Sequence, residues 1–228
     1  TCIQHNHAQL LHPRATTGNL VGNPIHEDML AAARLARADF IVNTVNNTRR
    51  EIVRSFAGDL EAAHLEGVRM VDSMYKVQLE ALADIVVVSS GGAPKDLDIY
   101  QGTKSVDNAL RAVRRGGAVV ALLEAPEGLG HRVFDSWVRE YATLEELEDQ
   151  VRHAFRLGGH KAYYIRKYSA HARVFLVSSL DRETIEGVLG LTKSRDLKDG
   201  IDMAFEHVGR DARVLVIPEG DKILPYIE

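Results

Sequence analysis

The sequence contains a single cysteine, Cys2, which excludes a disulfide framework within the chain. A lone cysteine also weakly favours a reducing compartment, so we expect a cytoplasmic location. No apolar run is long enough to span a membrane. The formal net charge is -4, with 28 basic and 32 acidic residues, so no basic face is implied. We therefore expect neither nucleic acid nor a membrane among the partners.

Several catalytic signatures are also missing. The sequence has no G-x-S-x-G elbow, P-loop, HExxH or CxxC motif, and no internal repeat or low-complexity segment. It has neither an initiator methionine nor a signal peptide, and it opens on Thr1-Cys2-Ile3 as if in the middle of a longer chain. We therefore expect the true N-terminus to lie elsewhere, and the missing signal says little about export.

The residues that are present indicate a globular α/β protein. Of the 228 residues, 45% are hydrophobic and 26% are charged, which is enough for a sizeable core in one large domain or two small ones. A new alternation of strands and helices begins near residue 80. We therefore predict two domains, residues 1–80 and 81–228.

The second part has the pattern of a doubly wound, mostly parallel sheet. Its strand candidates are continuous apolar runs, as expected where helices cover both faces of a sheet. The strands are predicted at 84–88, 118–123, 173–178 and 213–217. The helices are predicted at about 98–114, 131–141, 143–156, 159–169 and 194–208, with Arg115-Gly116-Gly117 ending the first of them.

The first part predicts a smaller α/β arrangement. Asn23-Pro24 is a typical helix start, because Asn caps well and Pro suits the first helical position. Two antiparallel strands at 38–45 and 51–57 and a helix at 59–74 follow. The predicted buried face of the helix that begins at Pro24 consists of Ile25, Met29, Ala32, Ala33 and Ala36.

One loop is the leading candidate for a binding site. Gly91-Gly92 follows a predicted strand, where ligands bind in open α/β sheets. Tyr100, Gln101 and Lys104 come soon after, spaced to share one helix face, and together they could hold a carboxylate and a hydroxyl. A tight turn followed by a solvated helix face explains the same residues equally well.

Two histidine-containing stretches are weaker candidates. His5, His7 and His12 offer imidazoles, which bind zinc or nickel, but no carboxylate or thiolate set accompanies them. Their spacing alone favours ordinary surface histidines. Gly158-Gly159-His160-Lys161 enters another predicted helix, where His160 and Lys161 either face the same cleft or are ordinary exposed residues.

Taken together, these segments resemble the nickel-dependent lactate racemase family. The resemblance covers essentially the whole chain, and its most specific part is Gly-Gly-x-Pro-x-Asp followed by Tyr-Gln-x-x-Lys. The matching runs are Asn6-His7, Gly18-Asn19-Leu20 through Asn23 to Met29, Phe56 to Asp59, Ala62-Ala63-His64, Gly91 to Asp96, Tyr100 to Lys104, Glu127 to Gly130, Gly158 to Ala162 and Val214 to Pro218.

The resemblance implies a racemase or epimerase of lactate-like 2-hydroxy acids, with a cleft between two α/β domains. Its implied cofactor is a nickel-pincer nucleotide, a pyridinium-3,5-bisthiocarboxylic acid mononucleotide, which exchanges hydride with the substrate carbon. His7 would be the protein ligand of nickel, and Gly91 and Gly92 would line the cofactor. Gln101 and Lys104, with Tyr100 beside them, would bind the substrate. His160 would help to select it.

The chain departs from the family pattern in one large respect. The cofactor-bearing lysine and the proton-relay histidines of the family lie upstream of Thr1, so no catalytic residue is assigned within this chain. Residues 1–80 would then be an α/β remnant of the N-terminal catalytic domain. We expect this chain to be an incomplete racemase that either associates with its missing N-terminal half or forms a homo-oligomer.

The residues alone leave a second class of function open. A non-catalytic α/β module that binds a small ligand or a partner has the same pattern of strands and glycine loops. A nicotinamide dehydrogenase is disfavoured, because the Gly-Gly pair lacks the glycine spacing of a dinucleotide fingerprint.

Overall fold

The computed structural model describes residues 2–227, with side chains from Gln4 onwards, so the thiol of Cys2 lies outside the described side chains. The chain forms two compact units that divide between Lys76 and Val77. This division lies close to the boundary predicted near residue 80. The assignment of the first unit to a catalytic domain remains a prediction.

The first unit combines helices with one β-hairpin. Its elements are α1 (Cys2–His7), a 3-10 turn (Ala8–Leu11), α2 (Pro24–Leu35), β1 (Ile41–Asn46), β2 (Ile52–Gly58) and α3 (Leu60–Tyr75). The two strands are antiparallel, which confirms the predicted pairing. Asn23 accepts a hydrogen bond from the Ile25 amide at 3.0 Å and so caps α2, as its position predicts.

The predicted buried face of α2 is wrong. No residue of α2 is buried, and Met29 is 60% exposed. The apolar periodicity is present in the sequence, but Met29 and Ala33 line an open groove between α2, β1 and α3 instead of packing closely against them. Periodicity shows which side of a helix is apolar, and burial depends on what packs there.

The second unit contains a five-stranded sheet and its helices. Its elements are β3 (Lys76–Gln78), β4 (Ala83–Ser89), α4 (Ile99–Leu110), β5 (Val113–Leu122), α5 (Arg132–Glu140), α6 (Leu144–His153), α7 (His160–His171), β6 (Arg173–Val177), a π-helical turn (Glu183–Val188), β7 (Thr192–Ser194), α8 (Leu197–Val208), β8 (Val214–Ile217) and β9 (Leu224–Tyr226).

The main sheet has the order β7-β6-β5-β4-β8, and each neighbouring pair is parallel. α8 packs against the face that carries Ile85, Val87 and Phe175. The opposite face carries α4, because a Cβ on Gly220 would meet both Val88 of β4 at 2.4 Å and Ser105 of α4 at 2.8 Å. Helices on both faces confirm the predicted doubly wound fold. The strand order reverses at β4, which has β5 on one side and β8 on the other.

One predicted boundary in this unit is wrong. Arg115-Gly116-Gly117 does not end a helix, because α4 ends at Leu110 and β5 begins at Val113. Ala83 pairs with Val113 whereas Ile85 pairs with Ala118, so β5 bulges between these pairs. Gly116 has a φ of +75° in the bulge, and a Cβ on Gly117 would lie 2.6 Å from the Asp84 carbonyl oxygen. The two glycines therefore serve a β-bulge and not a helix cap.

Candidate functional site

α4 is held closely against the carboxyl end of the sheet. The Asp98 side chain caps it by accepting a hydrogen bond from the Gln101 amide at 2.7 Å. A Cβ on Gly102 would lie 2.2 Å from Leu123, so only glycine permits this approach. Ser90 and Ser105, both buried, join their hydroxyls at 2.7 Å. These contacts orient the helix, and they leave Gln101 and Lys104 on its outer side.

Gln101 and Lys104 form one polar pair. The Lys104 ammonium donates to Gln101 Oε1 at 2.8 Å, so the two predicted substrate residues do share a helix face. No carboxylate oxygen of the described side chains lies within 4 Å of the Lys104 ammonium. Lys104 is exposed and Gln101 is half-buried. The pair therefore presents a positive charge and an amide to solvent.

Tyr100 lies beside this pair, within an aromatic cluster. Its ring stacks on His131, with centroids 4.9 Å apart and planes 20° apart, and meets the edge of His160 at 6.1 Å. Burial, helped by the charge of Asp98, raises the pKa of Tyr100. Tyr100 therefore stays a neutral phenol that can donate a hydrogen bond.

His160 is buried, with only 8% of its surface exposed. Its Nδ1 accepts a hydrogen bond from the Gly158 amide at 3.3 Å, and its ring stacks on Phe155 at 6.1 Å. The interpretation of His160 as an ordinary exposed residue is therefore wrong, because the entry into α7 is packed against α5. His160 adjoins Tyr100 and supports its ring.

His131 is the member of this cluster that sequence reasoning missed. A Cβ on Gly158 would lie 2.2 Å from its ring, and a Cβ on Gly159 would lie 2.3 Å from Trp137. The two glycines thus permit α7 to approach the start of α5. His131 follows the loop after β5, and such loops often carry ligand sites in open α/β sheets. The sequence of a site loop does not differ from that of a plain connector, so this position alone did not identify His131.

The Gly91-Gly92 loop differs from the outer face of α4 in how the charge of its nearby lysine is compensated. Both glycines have positive φ, +83° and +75°, and both are exposed. The cation beside them, Lys95, lies 3.0 Å from Asp221 and 3.7 Å from Glu219. Its charge is therefore already compensated, and Asp98 already occupies the N-terminus of α4. The role of Gly91 and Gly92 toward a cofactor remains a prediction.

His7 belongs to the first unit, whereas the other predicted site residues belong to the second. It is the last residue of α1 and is half-buried. Its neighbour Asn6, which is 5% exposed, donates to the Ile25 carbonyl at 2.7 Å and to Asp28 at 3.2 Å, and so fixes α1 on α2. Among the described side chains, no group of three or more His, Cys, Asp or Glu residues is arranged to hold a metal ion.

Within residues 2–227, no helix combines the length and the apolar character that crossing a bilayer requires.

Comparisons with known proteins place these features in context. The profile of the lactate racemase C-terminal domain matches residues 78–224. The lactate racemase of Thermoanaerobacterium thermosaccharolyticum is 31% identical over 229 residues, covering 98% of this chain and 54% of the relative. The lactate racemase of Lactiplantibacillus plantarum is 32% identical over 212 residues, covering 91% of this chain and 50% of the relative. The chain thus spans about half the length of the curated relatives it matches.

Solved structures agree with the sequence comparison. The lactate racemase apoprotein from Thermoanaerobacterium thermosaccharolyticum superposes with a TM-score of 0.91 at 31% identity, over 98% of this chain and 55% of that one. A protein from Thermotoga maritima shares the fold, with a TM-score of 0.65 at 14% identity over 91% of this chain and 55% of that one. With the profile matched across most of the second unit, this chain belongs to the lactate racemase family, whose C-terminal domain it contains.

Proposed function

We propose that this chain is the C-terminal half of an isomerase that racemises or epimerises a lactate-like 2-hydroxy acid. The observation that carries this proposal is the pair of Lys104 and Gln101 beside Tyr100, at the carboxyl end of the sheet in a member of the lactate racemase family. An anionic hydroxy acid needs a fixed cation and neutral hydrogen-bond donors, and these side chains supply both.

Each of these residues has a distinct role in this proposal. The Lys104 ammonium binds the substrate carboxylate, and Gln101 holds that ammonium in place through Oε1. The neutral Tyr100 phenol, raised in pKa by burial, donates a hydrogen bond to a substrate oxygen. Exclusion of water from such a site strengthens each polar contact. His160 and His131 keep the Tyr100 ring in position.

The nickel-pincer nucleotide fits the donor set of the first unit. A lone imidazole cannot form a protein-only metal site, but it suits a nickel ion whose remaining ligands come from an organic cofactor. His7 would be that ligand, held by the anchored Asn6 beside it. When bound, the nucleotide would supply a reversible acceptor for the hydride on the carbon that carries the substrate hydroxyl.

In this proposal the activity requires more than this chain. The resemblance to the family implies that the proton-relay groups and the cofactor-bearing lysine belong to the part of the relatives that this chain does not span. The first unit also exposes large apolar side chains, with Leu35 at 85%, Val42 at 65% and Ile52 at 64%. Association with the missing N-terminal half would cover them. The cytoplasmic location remains a prediction.

Substrate binding can be tested on this chain directly. We expect L-lactate to perturb the amide resonances of α4 in a heteronuclear NMR titration, and Lys104→Met to remove the effect. Lys198→Met is the matched control, because Lys198 is an exposed helical lysine that pairs with Asp202 at 2.5 Å. Equal lactate binding by both variants would contradict the assignment of Lys104.

The nickel ligand is tested in the full-length protein. We expect His7→Ala to abolish nickel retention measured by mass spectrometry of the metal, whereas the nearby exposed His12→Ala keeps it. Unchanged nickel content in His7→Ala would remove the assignment. Lactate binding without racemisation by a nickel-loaded full-length protein would favour a non-catalytic binding module instead.

A further inference from the structure

A second lysine of the site cluster, Lys161, lies inside the aromatic group around Tyr100. It is the second residue of α7. Its ammonium lies 5.7 Å from the ring centroid of Tyr100 on α4, and 5.9 Å from that of Tyr164, which follows on α7 itself. Contacts of this kind attract a cation to the faces of both rings. Lys161 thus connects the proposed substrate phenol to the second helix.

The positive charge of Lys161 has no carboxylate partner among the described residues, unlike the charge of Lys95. No carboxylate oxygen of the described residues lies within 4 Å of its ammonium, whereas Lys95 is paired with both Asp221 and Glu219. A cation in the first turn of a helix also opposes the positive end of the helix dipole. Lys161 is half-buried, and both this partial burial and its position at the helix start make the charge unfavourable for folding, so stability alone does not explain it.

We propose that Lys161 is a positioning residue that acts through Tyr100 and, with Lys104, makes the α4 face selective for carboxylates over neutral hydroxy compounds. This inference rests on the proposed function, and it names the substrate class of that site. Two positive charges, one exposed and one behind the aromatic ring, favour an anionic hydroxy acid over an uncharged sugar or amide.

The charged state of Lys161 depends on the groups that face it. From α4 these are Asp107, Lys104 and Tyr100, and from α7 itself the facing group is Tyr164. Burial lowers the pKa of Lys161 to about 8, Asp107 acts in the opposite direction, and Lys104 adds to the lowering. Burial also raises the pKa of Tyr164 to about 12, so that phenol stays neutral. Carboxylate affinity should therefore fall as the pH rises through about 8.

The lowered pKa of Lys161 also affects folding stability, which should rise with pH whereas carboxylate affinity falls. The pKa of Lys161 in the folded chain lies below its ordinary value of 10.5. The charged amine therefore opposes folding below pH 8, and this cost is relieved as the pH rises toward 10.5. Replacing it by an apolar side chain of similar length should leave the midpoint of thermal unfolding at pH 7 unchanged or raised. A merely structural residue would show a lowered midpoint.

The test compares Lys161→Met with Lys167→Met in the chain, by NMR titration with L-lactate and with the neutral analogue lactamide. Lys167 is the matched control, because it is an exposed lysine on the same helix over a tyrosine ring, 5.8 Å from the Tyr163 centroid. We expect Lys161→Met to weaken lactate binding about tenfold, to spare lactamide binding, and to keep the unfolding midpoint. Lys161→Arg should bind lactate without the decline above pH 8.

The possible results separate the two proposals. Loss of lactate binding in Lys104→Met with full binding in Lys161→Met would overturn this inference alone. Equal losses of lactate and lactamide binding in Lys161→Met, with a lowered midpoint, would assign it a structural role and overturn the inference as well. Failure of the unaltered chain to bind lactate would overturn the proposed function, and this inference with it.

Discussion

The two units of the chain differ in how much apolar surface each one buries. Among the described residues, Val45 and Ala63 are the buried apolar residues of the first unit, whereas the second unit buries both faces of its central strands. A groove of about 290 Å³ remains open between α2, β1 and α3. Since burial of apolar surface drives folding, the second unit has a core of its own, whereas the first buries little apolar surface.

Separating the two units should produce the largest effect. We expect residues 77–228 expressed alone to unfold cooperatively, because their sheet is covered by helices on both faces. Residues 1–76 alone should lack a cooperative transition or self-associate. Thermal unfolding followed by circular dichroism, with light scattering for mass, measures both. A monomeric first fragment that melts cooperatively would show that its core is sufficient.

Two isoleucines, one in each unit, test the difference in burial within the intact chain. Ile85 is fully buried in β4, whereas Ile52 is 64% exposed in β2. We expect Ile85→Ala to lower the free energy of unfolding by about 2–5 kcal/mol and Ile52→Ala by no more than about 0.5 kcal/mol. Urea unfolding followed by circular dichroism gives both values. Similar losses for the two variants would mean that Ile52 is covered, for example by a second copy of the chain.

Two helical glycines give the smallest expected effects, with opposite signs. A Cβ on Gly102 in α4 would lie 2.2 Å from Leu123, whereas on Gly67 in α3 its nearest neighbour is Phe56 at 3.6 Å. Gly102→Ala should therefore cost about 1–3 kcal/mol. Gly67→Ala should stabilise the chain by about 0.5–1 kcal/mol, because alanine restricts the unfolded state more than glycine. Urea denaturation of both variants checks the signs, and a stabilising Gly102→Ala would show that Leu123 yields freely.

Much of the second unit could be predicted from local patterns. Continuous apolar runs located four of its parallel strands, because strands buried on both faces need no polar alternation. The error at Arg115-Gly116-Gly117 arose because a glycine pair can end a helix or open a β-bulge. The partner strand decides between these, and strand pairing is a contact between residues distant in sequence.

The candidate site was likewise predictable from local patterns only in part. The four-residue spacing of Tyr100 and Lys104 placed them on one helix with Gln101 between, and the pairing of Lys104 with Gln101 followed from it. The stack of Tyr100 on His131 was not visible in the sequence, because these residues come from separate elements. Spacing along a helix predicts neighbours within that helix, but it does not predict what packs on it.

The sequence was sufficient to indicate the doubly wound class, the loop after β4 and the polar face of α4, since these depend on local pattern and helix geometry. The electrostatic environment of the nearby lysines was decided only by the tertiary structure. Lys95 is neutralised by acids from the β8–β9 loop, while Lys161 is half-buried and lies over rings from two helices. Both are lysines near glycine pairs in the sequence, and only their distant neighbours distinguish them. Electrostatic character depends on burial and on partners brought together in space.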